Sequence, residues 1–146
     1  MFAKLLVPVD GSEAALKAVA AAGEMARRFD SRVMLLHVQH LPEGLMAASG
    51  LAGMVALPEA TVEALGQAGQ EVLQAARTTL HVPEDRVTEA VLLGHPAETI
   101  CRVAQEGGYD LIIMGRRGLS EVRGFLLGSV SDRVIHHAAC PVLVVH

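Results

Sequence analysis

Apolar residues fall along this chain in short blocks separated by longer stretches of helical spacing. Lys4 to Val9, Val33 to Val38, Val87 to Leu93, Leu111 to Met114 and Val142 to Val145 are blocks rich in Val, Leu and Ile. Each is too short for a helix and nearly continuous in its apolarity, which predicts strands with both faces covered. The third alternates most, with Arg86, Thr88 and Glu89 among its apolar residues, and so suits a sheet edge. Pro8 has no N–H for a ladder and is tolerable only near the end of the first strand, where Asp10-Gly11 places it.

Four helices are predicted between these blocks. Ser12 caps the first, to about Phe29, with Leu16, Val19, Ala20, Ala26 and Phe29 on the buried side. Pro58 suits the first turn of the second, which runs to about Leu80 and buries Val62, Leu65, Val72, Leu73 and Ala76. Pro96 starts the third, with Ile100, Val103 and Ala104 inward, and Gly107-Gly108 ends it. The fourth follows Gly128: Val130, Val134, Ile135 and Ala138 recur at helical spacing, and Ser129-Val130-Ser131-Asp132 has the form of a capping box. Cys140-Pro141 breaks it. Leu41 to Leu57 departs from this order, being rich in Gly, Ala and Met and almost uncharged; it reads as a long connection or as an apolar flap facing a partner.

Strands alternating with helices over 146 residues describe one α/β domain, 1–146, built on a parallel sheet with helices on both faces. Hydrophobic residues make up 51% of the chain and aromatics only 3%, so the core must be aliphatic. The formal net charge of −4 argues against a general nucleic-acid binder, whose affinity rests on a basic surface. No apolar run is long enough for a membrane span and no signal-peptide pattern opens the chain. Cys101 and Cys140 lie within apolar patterns and suit reduced thiols in a cytoplasmic protein; a disulfide between them is the other reading.

The chemistry concentrates between Leu111 and Ser131. A strand runs into Gly115, Gly118 follows, and Gly128-Ser129 opens a helix. Strand, glycine-rich loop and helix N-terminus together make an anion site, because glycines let backbone approach a phosphate and the first N–H groups of the helix point at it. Glycine serving only loop turns is the plainer alternative. Arg116, Arg117 and Arg123 add charge to the loop, either toward an anion or toward solvent. No Gly-Lys-Ser/Thr occurs, and the spacing is not G-x-G-x-x-G. The seven histidines show no metal-ligand spacing: His136 and His137 project to different sides of a helix, His37 and His40 flank a strand end, and His81, His95 and His146 are scattered. They read as structural or surface residues.

The series G-x2-G-x9-G-S from Gly115 to Ser129, followed by Val130 and Ser131, resembles the nucleotide-binding pattern of the universal stress protein family, in its ATP-binding branch. The similarity extends to Val7-Pro8-Val9-Asp10-Gly11-Ser12, Leu35-Leu36-His37-Val38, Gly94-His95-Pro96-Ala97, Tyr109-Asp110-Leu111-Ile112 and Cys140-Pro141-Val142-Leu143-Val144-Val145. These segments come in the family's order and cover nearly all the chain outside Leu41 to Leu57.

The resemblance implies a Rossmann-like fold, similar to the adenine nucleotide alpha hydrolases, with five parallel strands in the order 3-2-1-4-5. In that order Asp10 and Gly115 end the two strands that flank the switch point, where such sheets bind ligands. It also implies an ATP site, with ADP or AMP as alternatives and Mg²⁺ or Mn²⁺ accompanying the nucleotide. Gly115 and Gly118 would give the loop its turns and close approach. Gly128 and Ser129 would present N–H groups to the phosphates, and Ser129 and Ser131 their hydroxyls. Asp10 would lie near the ribose or phosphates, directly or through the metal; its other reading is a carboxylate at a helix N-terminus. Val38 backbone would read the adenine edge, or be an ordinary strand end. Pro8, Val9, Met114, Arg117 and Val130 complete the implied set.

Three functions stay open at this point: a nucleotide-holding regulatory module of the stress response, an adenine-nucleotide enzyme such as a slow ATPase or nucleotidyl transferase, and an interaction domain with a vestigial loop. The intact glycine series favours the first. No P-loop lysine or evident general base favours the enzyme. Val142 to Val145, uncharged and at the implied sheet edge, predicts a homodimer through that strand.

Overall fold

A computed structural model describes residues 1–40, 59–119 and 127–146. The expectations placed on Leu41 to Leu57, Pro58 and Arg123 lie outside those residues. The elements run β1 (Lys4–Pro8), α1 (Glu13–Phe29), β2 (Arg32–Gln39), α2 (Glu59–Leu80), β3 (Val87–Leu93), α3 (Pro96–Glu106), β4 (Leu111–Gly115), α4 (Ser129–His137) and β5 (Val142–Val145). All strand pairs are parallel and the sheet order is β3-β2-β1-β4-β5, which is the α/β fold expected.

The near-continuous apolarity of the central strands follows from their position, because each face of the sheet meets helices. Leu5, Val7 and Val9 of the first strand segment point with Val33, Leu35, Leu111 and Ile113 toward α1 and α2. Leu6, Leu36, Ile112 and Met114 point the other way, onto Ala97, Ile100 and Ala104 of α3 and Val134 of α4. Fully burying each Leu or Ile contributes about 1.5–3 kcal/mol, so the two faces make comparable demands on the sequence.

The α1 face is drawn in by small residues. Ala15, Ala18, Val19, Ala22 and Ala26 form its buried stripe. A Cβ at Gly23 would meet the Leu80 carbonyl group, so α1 and α2 cross nearly backbone to backbone there. Three expectations of burial are corrected. Ala20 is exposed because it lies off the 15-18-22-26 face; Phe29 follows that face but is the last residue of α1, beyond its packed turns, and is 50% exposed with its ring edge-on to Phe2. Val62 is 49% exposed because α2 first becomes buried at Gly69, against Val91 and His37. Ile135 is 41% exposed because its neighbour Val134 takes the inward position.

The sheet opens where the site forms. β1 pairs with β2 as far as Pro8–Leu36, but its register with β4 covers only Leu5–Leu111 and Leu6–Ile112. Pro8 ends β1 as its missing donor requires. β4 continues against β5 to Gly115–Val145, so the carboxyl ends of β1 and β4 stand beside a crevice.

Candidate functional site

Asp10 leaves β1 at the floor of this crevice and its carboxylate joins two loops. Oδ1 accepts the Ser12 N–H at 2.9 Å, and Oδ2 accepts the Leu119 N–H, 109 residues later, at 3.1 Å. Ser12 Oγ accepts the Ala15 N–H at 3.1 Å and caps α1 as expected. Asp10 therefore does more than favour a helix dipole: it ties the start of α1 to the glycine loop. A Cβ on Gly118 would run into Asp10 Oδ2.

The other glycines of the loop have separate tasks. A Cβ on Gly115 would stand 2.7–2.9 Å from Ala14 backbone and side chain, so this glycine lets β4 pack against α1. Neither Gly115, Gly118 nor Gly128 has positive φ; among the described glycines that conformation belongs to Gly11, Gly94 and Gly108. The Arg116 carbonyl closes the base of the loop, accepting the Gly128 N–H at 2.9 Å and the Ser131 hydroxyl at 2.7 Å. Ser131 is buried, and its hydroxyl also reaches the Gly128 carbonyl at 3.0 Å.

This geometry corrects the start of α4. The capping box does not form: Gly128, extended at φ −72° and ψ 158°, is the N-cap, without a side-chain cap bond, and Ser129 is already helical. The N–H groups of Ser129, Val130 and Ser131 can have no acceptor within the helix. Exposed Ser129 leads this open turn, while Gly128 N–H and Ser131 hydroxyl hold the loop in place. The dipole of α4 adds partial positive charge at the same point.

The crevice is a cavity of about 510 Å³, within the ordinary range for small-molecule sites. All twelve expected residues line it. Pro8, Val9 and Asp10 come from the end of β1, Val38 from β2, and Met114 and Gly115 from β4. Arg117 and Gly118 come from the loop, and Gly128, Ser129, Val130 and Ser131 from the start of α4. At Val38 the strand β1 has already ended, so this edge of β2 faces the crevice.

The sequence reading missed a second group. Gln39 and His40 at the end of β2, and His95 and Glu98 at the start of α3, also line the cavity, as does Arg133 of α4. The His40 and His95 rings lie 5.9 Å apart between centroids. His37 is buried, with Nδ1–H donating to the Val9 carbonyl at 2.8 Å, so it braces the end of β1. The Gly94-His95-Pro96-Ala97 segment was the available signal for His95, and helical spacing from Ser129 was the signal for Arg133. Among the described residues no group of three His, Cys, Asp or Glu side chains is arranged to hold a metal. Open backbone donors at one end and apolar Val9, Val38, Ile100 and Met114 along the walls suit an anion attached to a flat apolar body.

A family model for the universal stress protein family matches residues 1–146. A universal stress protein of Bacillus subtilis is 34% identical, with 99% of each chain covered. The solved structure of a hypothetical protein of Methanocaldococcus jannaschii superposes with a TM-score of 0.78 at 29% identity, covering 99% of this chain and 96% of that one. A universal stress protein crystallised in complex with cAMP gives a TM-score of 0.66 at 26% identity, over 99% and 97% of the two chains.

Proposed function

This chain belongs to the universal stress protein family, and we propose that it holds one adenine nucleotide in the crevice and acts as a stress-response regulatory module. The observation that carries this reading is convergence: twelve residues from separate segments line one cavity that ends on the uncapped first turn of α4. ATP fits the reading best, with its base along Val38 and its phosphates at Ser129 to Ser131. The cAMP held by a relative of the same fold supports an adenine ligand. Mass spectrometry of the natively purified protein tests it. Copurifying ATP, ADP or AMP is expected; no bound nucleotide, together with no thermal shift on adding ATP, overturns the reading.

Asp10 fits a metal brought in by the phosphates. Each of its oxygens accepts one backbone N–H and retains a further lone pair, which a hard cation such as Mg²⁺ or Mn²⁺ favours. Because one oxygen already holds the start of α1 and the other the loop, Asp10 is poorly placed to act as a mobile general base, and slow hydrolysis is the expected turnover. No helix among the described residues is long and apolar enough to cross a membrane. A cytoplasmic module with two free thiols is the reading we adopt.

The same reading includes a homodimer through β5. Among the described residues this strand is at the sheet edge, pairs only with β4, and leaves Leu143 39% exposed. A second copy across a two-fold axis would satisfy its outer backbone. Sedimentation of the protein and of Leu143→Lys tests this: a dimer that the charge dissociates is expected, and a wild-type monomer rules the interface out.

A further inference from the structure

We propose that Arg133 and Glu98 read the number of phosphates on the bound nucleotide, Arg133 favouring a long polyphosphate and Glu98 opposing it. The inference rests on the nucleotide reading and deepens it. Arg133 lies one helical turn beyond Ser129, on the side of α4 that lines the crevice. It also lines a second groove, between α3 and α4, together with Glu98. These two residues and Ala97 are shared by both cavities, so they mark the passage from one to the other.

Neither charge is committed elsewhere. Among the described residues, Arg27, Arg77, Arg86 and Arg102 each pair with a carboxylate. Arg133 and Glu98 have no hydrogen bond or ion pair there, with each other or with anything else. Both side chains are exposed, so the guanidinium is available to an anion without first breaking a contact.

The α4 N–H groups can hold only the phosphate nearest them. A monophosphate ends at that turn. Further phosphates must leave along the cavity wall, and a guanidinium one turn down α4 is a fitting donor set for them. Glu98, in the first turn of α3, faces the same passage with the opposite charge and repels the added anion. The two effects have opposite sign and both grow with phosphate number.

Titration calorimetry with AMP, ADP and ATP tests this on wild type, Arg133→Gln, Arg133→Lys and Glu98→Gln. Arg133→Gln is expected to weaken ATP about ten-fold, ADP less, and AMP within about two-fold, with partial rescue by Arg133→Lys. Glu98→Gln is expected to tighten ATP about two- to three-fold and leave AMP unchanged. Equal losses for AMP and ATP in Arg133→Gln, or no loss in either, overturn the proposal while the nucleotide reading stands. Wild type that binds none of the three removes both.

Discussion

The helices on the two faces of the sheet begin in different ways. On one face, α1 is closed: Ser12 Oγ takes the Ala15 N–H and Asp10 takes the Ser12 N–H. On the other, α3 starts at His95 and α4 at Gly128, neither with a side-chain cap bond. A good cap stabilises a helix by about 0.5–2 kcal/mol, and α4 has serines at two of its first three positions. Ser131 nevertheless bonds to loop carbonyls, and Ser129 stands exposed beside the cavity. The α1 face is scaffold, sealed at its N-terminus and packed through alanine and glycine. The α4 face leaves its first donors uncapped beside the crevice.

The strongest way to break that contrast is to fill Gly128. A Cβ there would lie 3.2 Å from Arg117 Cα and 3.4 Å from the Arg116 carbonyl oxygen, so even alanine is tight. Valine would push the loop from the first turn of α4 and crowd the phosphate. Gly128→Val should weaken ATP by about 100-fold or more, equivalent to ~2.7 kcal/mol. Its backbone angles are ones valine adopts, so circular dichroism should report a folded protein. Calorimetry giving wild-type affinity in that folded variant would remove the loop from the site.

Gly118 tests the link between the two faces. Gly118→Ala places a methyl against Asp10 Oδ2, which already holds the Leu119 N–H. The carboxylate can rotate only by releasing that bond or the one to Ser12. ATP affinity should fall about ten-fold, in line with a lost charge-assisted hydrogen bond. Thermal stability should change less than in a cap mutant. Unchanged affinity would mean that Asp10 can hold α1 without the loop.

Removing the cap of α1 should do the converse. Ser12→Ala leaves the Ala15 N–H without its partner and is expected to cost about 1 kcal/mol of stability, measured by urea unfolding. ATP affinity should stay within about two-fold, since Ser12 is not among the cavity-lining residues. A ten-fold loss of binding at unchanged stability would reverse the roles of the two N-termini.

Much of this contrast could be read along the chain, and the part that could not has a common cause. Pro8 at a strand end, Ser12 as a cap and Pro96 at a helix start are local signals, and each sits where its own backbone chemistry demands. The Ser129 capping box was also a local signal, and it failed because Gly128, held to the Arg116 carbonyl by the loop, takes the N-cap position and its own carbonyl accepts the Asp132 N–H. Gly115 was readable as a required glycine, but its contact with Ala14 depends on how α1 lies against β4. His95 and Arg133 were passed over for a related reason: nothing in their own segments says that the crossover from β3 carries α3 alongside α4. The Phe29 and Val62 errors came from carrying a correct helical face past the turns that pack: Phe29 is the last residue of α1, and α2 becomes buried only from Gly69. Residues that act through neighbours in sequence were legible; residues that act through the sheet order needed the fold.

The smallest expected effect concerns how dry the α3/α4 face becomes below its open N-termini. Burial pushes the Cys101 thiol above its ordinary range, with the neighbouring Cys140 thiolate adding to it. Burial raises Cys140 as well, with Asp110 contributing, although hydrogen bonds from backbone groups at Ile112 and Cys140 work against the rise. A thiol whose folded pKa exceeds its unfolded value holds its full stabilising contribution below the unfolded pKa. That contribution is lost as pH rises toward the folded pKa, because the unfolded chain ionises first. The loss should therefore begin near pH 9, the ordinary value, and be absent at pH 7. Thermal melts of wild type and of Cys101→Ala/Cys140→Ala at pH 7, 9 and 10.5 isolate it from Tyr109, whose pKa burial also raises and which both proteins share. The wild type should lose more Tm than the variant between pH 7 and 10.5, by under about 3 °C. Equal losses would show both thiols to be as well solvated as in the unfolded chain.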